Sequence, residues 1–122
     1  MSRPKIVIKR IYDEVADTDG QRVLIDRIWP RGVSKENAVL DHWFKEVAPS
    51  KELRTWFDHD PERFEEFAQR YEEELSDHDH AEEVDQLIEL VHDHERVTLL
   101  YAAKDENNNH AVVLQDYLRR HS

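Results

Sequence analysis

The segment Asp26-Arg27-Ile28-Trp29-Pro30-Arg31-Gly32 sets two arginines close together in a short loop. A guanidinium is well shaped to grip a phosphate or carboxylate, because its donors form a rigid fork that is always charged. Pro30 and Gly32 restrict the loop, and Lys35 follows within a turn. A second segment, Tyr101-Ala102-Ala103-Lys104-Asp105-Glu106-Asn107-Asn108-Asn109-His110-Ala111, adds a further cation at Lys104 and a side-chain amide at Asn109. It also supplies His110, whose imidazole titrates near neutrality and can serve as general acid or base. Arg27, Arg31, Arg54 and Lys104 are the candidate anion ligands, with Asn109 beside them. Trp29 and Tyr101 are candidates to shape the pocket, and His110 with Asp26 or Asp105 could move protons. A plainer reading stands beside this one. In it Arg27 and Arg31 pair with Asp26 or with acidic helices, Trp29 fills core, and the Asn-rich loop caps a helix.

Those segments need a scaffold that brings them together, and the hydrophobic pattern provides one. Ile6-Val7-Ile8, Val23-Leu24-Ile25 and Val97-Thr98-Leu99-Leu100-Tyr101 are short apolar runs bounded by polar residues, the pattern of strands buried on both faces. Asp17-Thr18-Asp19-Gly20 supplies a turn before the second of them. Trp43 to Val47 is a candidate fourth extended piece. Asp60-Pro61 reads as a cap followed by a first-turn proline, after which Phe64, Phe67, Ala68, Tyr71 and Leu75 recur at helical spacing. Val84, Leu87, Ile88 and Val91 mark another amphipathic helix after Asp77-His78-Asp79-His80. A short helix capped by Ser50 would align Leu53, Trp56 and Phe57. The last helix, starting near Asn109, turns Val113, Leu114, Tyr117 and Leu118 inward. The expected fold is α/β: a small, mostly parallel or mixed sheet of three to four strands covered by helices, forming one domain over residues 1–122. Both candidate loops then leave the carboxyl ends of strands, where open α/β sheets bind ligands.

Composition narrows the function further. The chain has 122 residues, no Cys and a formal charge of −11. That charge is concentrated: 58–95 holds 16 Asp and Glu against two Lys and Arg. Such a surface is repelled by a nucleic-acid backbone, so the expected partner is a small anion meeting the mildly basic remainder. An alternative is a non-enzymatic module whose acidic helical face docks a basic protein. No apolar stretch approaches the roughly 20 residues of a membrane span, and the short run at 6–8 is no secretory signal core, so a cytoplasmic location is expected. The lack of Cys fits a reducing compartment. Eight His invite a metal, but His78/His80 and His92/His94 are spaced i, i+2 and do not share a helix face. No metal and no cofactor is expected, and P-loop, G-x-G-x-x-G and G-x-S-x-G signatures are absent.

Lys9-Arg10-Ile11-Tyr12, Asp19-Gly20-x-Arg22-Val23-Leu24, Asp26 through Gly32, Ala48-Pro49-Ser50, Leu53-Arg54-x-Trp56-Phe57, Leu99 through Asp105 and Asn109-His110-Ala111 together resemble the YeaO-like family. That family is a branch of the domain-of-unknown-function family numbered 488. The resemblance spans nearly the whole chain, and its W-P-R-G and Y-A-A-K-D segments are specific. It implies a small intracellular α/β protein without an assigned activity. It also implies that other branches carry a Cys-His pair where this chain has Asn109-His110, which closes any thiol mechanism here while leaving the His in place.

Overall fold

The computed structural model describes residues 5–121. Four parallel strands, β1 (Lys5–Arg10), β2 (Gln21–Leu24), β3 (His42–Trp43) and β4 (Arg96–Tyr101), form one sheet in the order β1-β4-β2-β3. The three expected strands are β1, β2 and β4. The piece around Trp43 joins the sheet for only two residues, because β2 ends at Leu24 and Phe44 donates its N–H to that last carbonyl at 3.0 Å. Lys45–Val47 then winds into a 3-10 turn rather than continuing extended.

Four helices, α2 (Lys51–Phe57), α3 (Phe64–Leu75), α4 (His78–Asp93) and α5 (His110–His121), pack on one face of the sheet. Ile6, Val23, Val97, Leu99 and Tyr101 from the strands meet Leu53, Phe57, Phe67, Tyr71, Leu87, Val91 and Leu114 there, all buried. The capping signals act as read: Ser50 Oγ accepts from the Leu53 N–H, and Asp60 Oδ1 accepts from the Glu62 N–H ahead of Pro61. One boundary moves. Asp77 is itself a cap, accepting from His80 N–H, so His78 to His80 form the first turn of α4 rather than the approach to it.

Among the described residues the opposite face carries no long helix. It is covered by the 25–41 connection, which includes a single turn, α1 (Lys35–Ala38), capped by Ser34. Ile11, Leu24, Ala38 and Leu100 make a small second core with Trp29, Val33 and Leu40. The same face also holds charge. The Arg22 guanidinium, 4% exposed, meets Asp19 at 2.5 Å and the carbonyls of Val39 and Ala38 at 2.9 Å each. Lys9 approaches Asp19 at 3.1 Å, and Thr98 Oγ1 donates to the Asp19 carbonyl at 2.6 Å. Arg22 thus places a satisfied internal ion pair at the start of β2, ahead of the apolar Val23 and Leu24.

Gly20 makes this tight turn feasible. It sits at φ 66, ψ −134, a region open to few residues other than glycine, and a Cβ there would lie 2.3 Å from the Arg96 carbonyl oxygen. A Gly20→Ala variant should therefore lose about 1–3 kcal/mol by overpacking and backbone strain. Urea denaturation should show a lower midpoint with an unchanged slope.

Candidate ligand-binding cleft

The chain leaves β2 and β4 side by side, and Asp26 ties the two exits together. The Ile25 N–H donates to the Leu100 carbonyl at 3.1 Å, and the next residue, Asp26, accepts the Ala102 N–H through Oδ2 at 3.0 Å. Arg10, at the end of β1, holds the same stretch by donating to the carbonyls of Ala103 at 2.9 Å and Ala102 at 3.2 Å. Beyond these exits lies a cleft of about 680 Å³, within the range of small-molecule sites. Its walls come from the β2 loop, the 48–49 segment, α2, α3 and the loop entering α5.

Of the residues singled out from sequence, Asp26, Arg27, Arg54, Lys104, Asp105, Asn109 and His110 line this cleft. Trp29, Arg31 and Tyr101 do not. Trp29 turns to the other face of the sheet, donating its indole N–H to the Val33 carbonyl at 2.7 Å and meeting Trp43 edge-on at 5.3 Å. Arg31, next to the buried Pro30, is exposed to solvent, and its carbonyl accepts the Tyr12 hydroxyl at 2.9 Å. Tyr101, 2% exposed, belongs to the helix-side core, and burial raises its phenol above the usual value.

The lining side chains differ in how fully they are engaged. Arg27 donates to Glu46 at 3.3 Å and to the Ala48 carbonyl at 3.1 Å, yet its Nε is buried without a partner. Arg54 makes no ion pair among the described residues, and its buried Nε also lacks a partner. Asp105 is occupied by its own turn, accepting from the N–H groups of Asn107 at 2.9 Å and Asn108 at 3.0 Å. The Asn108 side chain, then those amides, hold its carboxyl below the usual range, which suits an anchor better than a proton donor.

His110 opens α5. Its Nε2 lies 3.1 Å from the Ile25 carbonyl, which can only accept, so Nε2 carries the proton. Asp26 Oδ1 is 3.0 Å from the same nitrogen but off the hydrogen-bond line, and it has no aligned donor. Asn109, 2% exposed, caps the helix: Oδ1 accepts from the Val112 N–H at 3.2 Å, and Nδ2 donates to the Asp105 carbonyl at 2.8 Å. Losing this cap in Asn109→Ala should cost about 1 kcal/mol, read as a lower melting temperature.

Sequence reasoning passed over the apolar half of the cleft. Phe57 and Phe67, stacked at 4.2 Å between ring centroids, contribute to its wall together with Ile28, Ala48 and Pro49. The helical spacing marks the two Phe residues as core, and periodicity carries no signal that a core face ends at an opening. The 48–49 segment is held from behind, since the Ala48 carbonyl accepts from Arg27 and faces His80 Nε2 at 3.0 Å, while Tyr71 donates to the Val47 carbonyl at 2.6 Å. At the rim, Asp58 and His59 are both left-handed, at φ 47 and 54. Asp58 is the C-cap that ends α2, its N–H donating to the Arg54 carbonyl, and the turn it makes sets His59 in the cleft wall.

Among the described residues no group of three or more His, Asp and Glu side chains is placed to hold a metal ion. No helix there is long and apolar enough to cross a membrane.

A small parallel α/β domain with a cleft at its strand ends defines the architecture, and comparison with known proteins defines the family. Residues 5–122 match the family described as the inactive DUF488-N3 subclade. The chain is 44% identical over 114 residues to the uncharacterised protein Rv3073c of Mycobacterium tuberculosis, covering 93% of each. It is 42% identical over 114 residues to the uncharacterised protein YeaO of Escherichia coli, covering 93% of this chain and 96% of that one. No solved structure matches at a significant level. The chain belongs to the inactive DUF488-N3 subclade and is a YeaO-like protein.

Proposed function

We propose that the cleft binds a small ligand through a carboxylate or phosphate group and does not transform it. One observation carries this reading. Arg27 and Arg54, from different elements, line the same cleft, and while Arg27 is paired with Glu46, Arg54 has no ion pair among the described residues. An anion in the cleft would give Arg54 the charged acceptor it lacks. Lys104 adds charge at the opening.

Two features weigh toward binding over turnover. The subclade is described as inactive, and Asn109, at the position the resemblance assigns to a thiol in other branches, is engaged as a helix cap. His110 and Asp26 on this view orient the cleft rather than shuttle protons. Docking of a basic partner on the acidic helices has less support. Glu66 pairs with Arg70, Glu72 with Arg120, and Glu74 accepts from Ser50, so part of that charge is engaged internally.

The reading is tested by thermal shift against acetate, benzoate, inorganic phosphate and glucose 6-phosphate at constant ionic strength. At least one should stabilise the native chain, by about 2.7 kcal/mol at a hundredfold excess over Kd. Arg54→Gln should abolish most of that response. No response to any of the four, or an undiminished one in Arg54→Gln, overturns the proposal.

A further inference from the structure

Beyond β4 the chain turns three successive carbonyls the same way. The Tyr101 carbonyl accepts the Ile11 N–H at 2.8 Å, and the Ala102 and Ala103 carbonyls accept from Arg10 at 3.2 and 2.9 Å. All three therefore face the β1 side of the sheet. No peptide bond among the described residues is cis, and a planar trans peptide sets each N–H opposite the carbonyl of the residue before it. The amides of Ala102, Ala103 and Lys104 accordingly face the β2 side, where Asp26 and the cleft lie. The Ala102 N–H obeys this rule, since it donates to Asp26 Oδ2 at 3.0 Å. The next two amides, those of Ala103 and Lys104, meet no acceptor among the described residues. Both residues line the cleft and neither is buried.

Successive amides aimed the same way make a concavity of positive partial charge, and such concavities receive anions. Arg10 creates this one from outside the cleft. Its guanidinium holds the two carbonyls and rests over the Tyr12 ring at 5.0 Å. Arg54 and the Lys104 side chain add full charges within the cleft. Asp26 sets a limit. Its carboxylate occupies the first of the three amides, so a second anion beside it is opposed by like charge. A singly charged carboxylate meets less of that opposition than a phosphate monoester, which is close to doubly charged at neutral pH.

We infer that the acid group of the ligand is a carboxylate held by the backbone amides of Ala103 and Lys104, with Arg10 as the positioning residue that turns those amides into the cleft. This deepens the anion-binding reading above and rests on it.

Amide hydrogen exchange and proton–nitrogen spectra of the native chain test it, with benzoate as the probe and inorganic phosphate for comparison. In the free chain the Ala103 and Lys104 amides should exchange freely, while the Ala102 amide is slowed. Benzoate at a tenfold excess over Kd should slow both about tenfold and move their protons downfield. Replacing the Ala102–Ala103 amide link by an ester removes one donor and leaves every side chain in place. It should weaken benzoate about tenfold, as expected for one hydrogen bond to a charged group. Arg10→Gln should weaken benzoate comparably, and Arg10→Lys, which keeps the charge without the planar fork, should remain weakened. Full recovery in Arg10→Lys overturns the positioning role. Benzoate binding that leaves the Ala103 and Lys104 amides unchanged overturns this inference while leaving the anion-binding reading intact. Inorganic phosphate binding more tightly than benzoate overturns the carboxylate assignment. No binding of acetate, benzoate, inorganic phosphate or glucose 6-phosphate by the native chain overturns both.

Discussion

Replacing Asp19 with Ala should destabilise the protein by about 3–5 kcal/mol, the cost of leaving one member of a buried ion pair uncompensated. Arg22 would keep its bonds to the Val39 and Ala38 carbonyls but lose its only carboxylate among the described residues, at a site where both side chains are under a tenth exposed. The Ala16 N–H, bonded to Asp19 Oδ2 at 3.0 Å, would lose its acceptor as well. Equilibrium urea unfolding measures the loss directly, and a change within about 0.5 kcal/mol, typical of surface sites, would refute the assignment. Asp19 also predicts a pH dependence. Burial alone would raise its pKa, but the Ala16 amide, Lys9 and Arg22 outweigh burial and hold it below the usual 3.8. The folded carboxyl therefore binds protons less readily than the unfolded one. Its contribution is complete at neutral pH and is lost as the pH falls below about 4. Stability measured between pH 6 and pH 3 should fall less steeply in Asp19→Ala than in the native chain.

Phe67→Ala should cost a similar amount, about 3–5 kcal/mol, for a different reason. Phe67 is 2% exposed and stacks on Phe57 at 4.2 Å, with Phe64 and Tyr71 on either side at 6.1 and 5.8 Å. Removing the ring leaves a void that the helices can only partly close, and this void adjoins the cleft. The thermal response of the variant to benzoate should therefore differ from that of the native chain even after the lower starting stability is subtracted. A loss below about 1 kcal/mol would show that the aromatic stack is not the centre of the helix-side core.

The sequence made the sheet legible because the runs at 6–8, 23–25 and 97–101 are apolar and flanked by polar residues, and the meeting of the two candidate loops followed from parallel strands alone. Periodicity could not reveal what depends on partners distant in the chain. Arg22 reads as the polar edge of a strand until Asp19, Lys9 and the 38–39 carbonyls are seen around it. Trp43 and Phe44 are β-prone, but β2 is too short to pair with the chain beyond them, and Lys45–Val47 turns instead. Trp29 and Arg31 lie within a few residues of Arg27, yet only Arg27 faces the cleft. Pro30 and the turn at Arg31-Gly32 redirect the chain, so neighbours in sequence end up serving opposite faces. The unpartnered Arg54 was recognisable only as a cation near an aromatic pair, since a missing partner leaves no mark in sequence.

The brevity of β3 has a bearing on self-association. A border strand of two residues presents almost no ladder for a foreign strand to extend, and Trp43 ties it down by donating to the Asp26 carbonyl at 2.7 Å. The other border, β1, carries Lys5, Lys9 and Arg10, and cations on an outer strand repel a like copy. The sheet is thereby guarded at both margins against edge-to-edge polymerisation, by truncation on one side and by charge on the other.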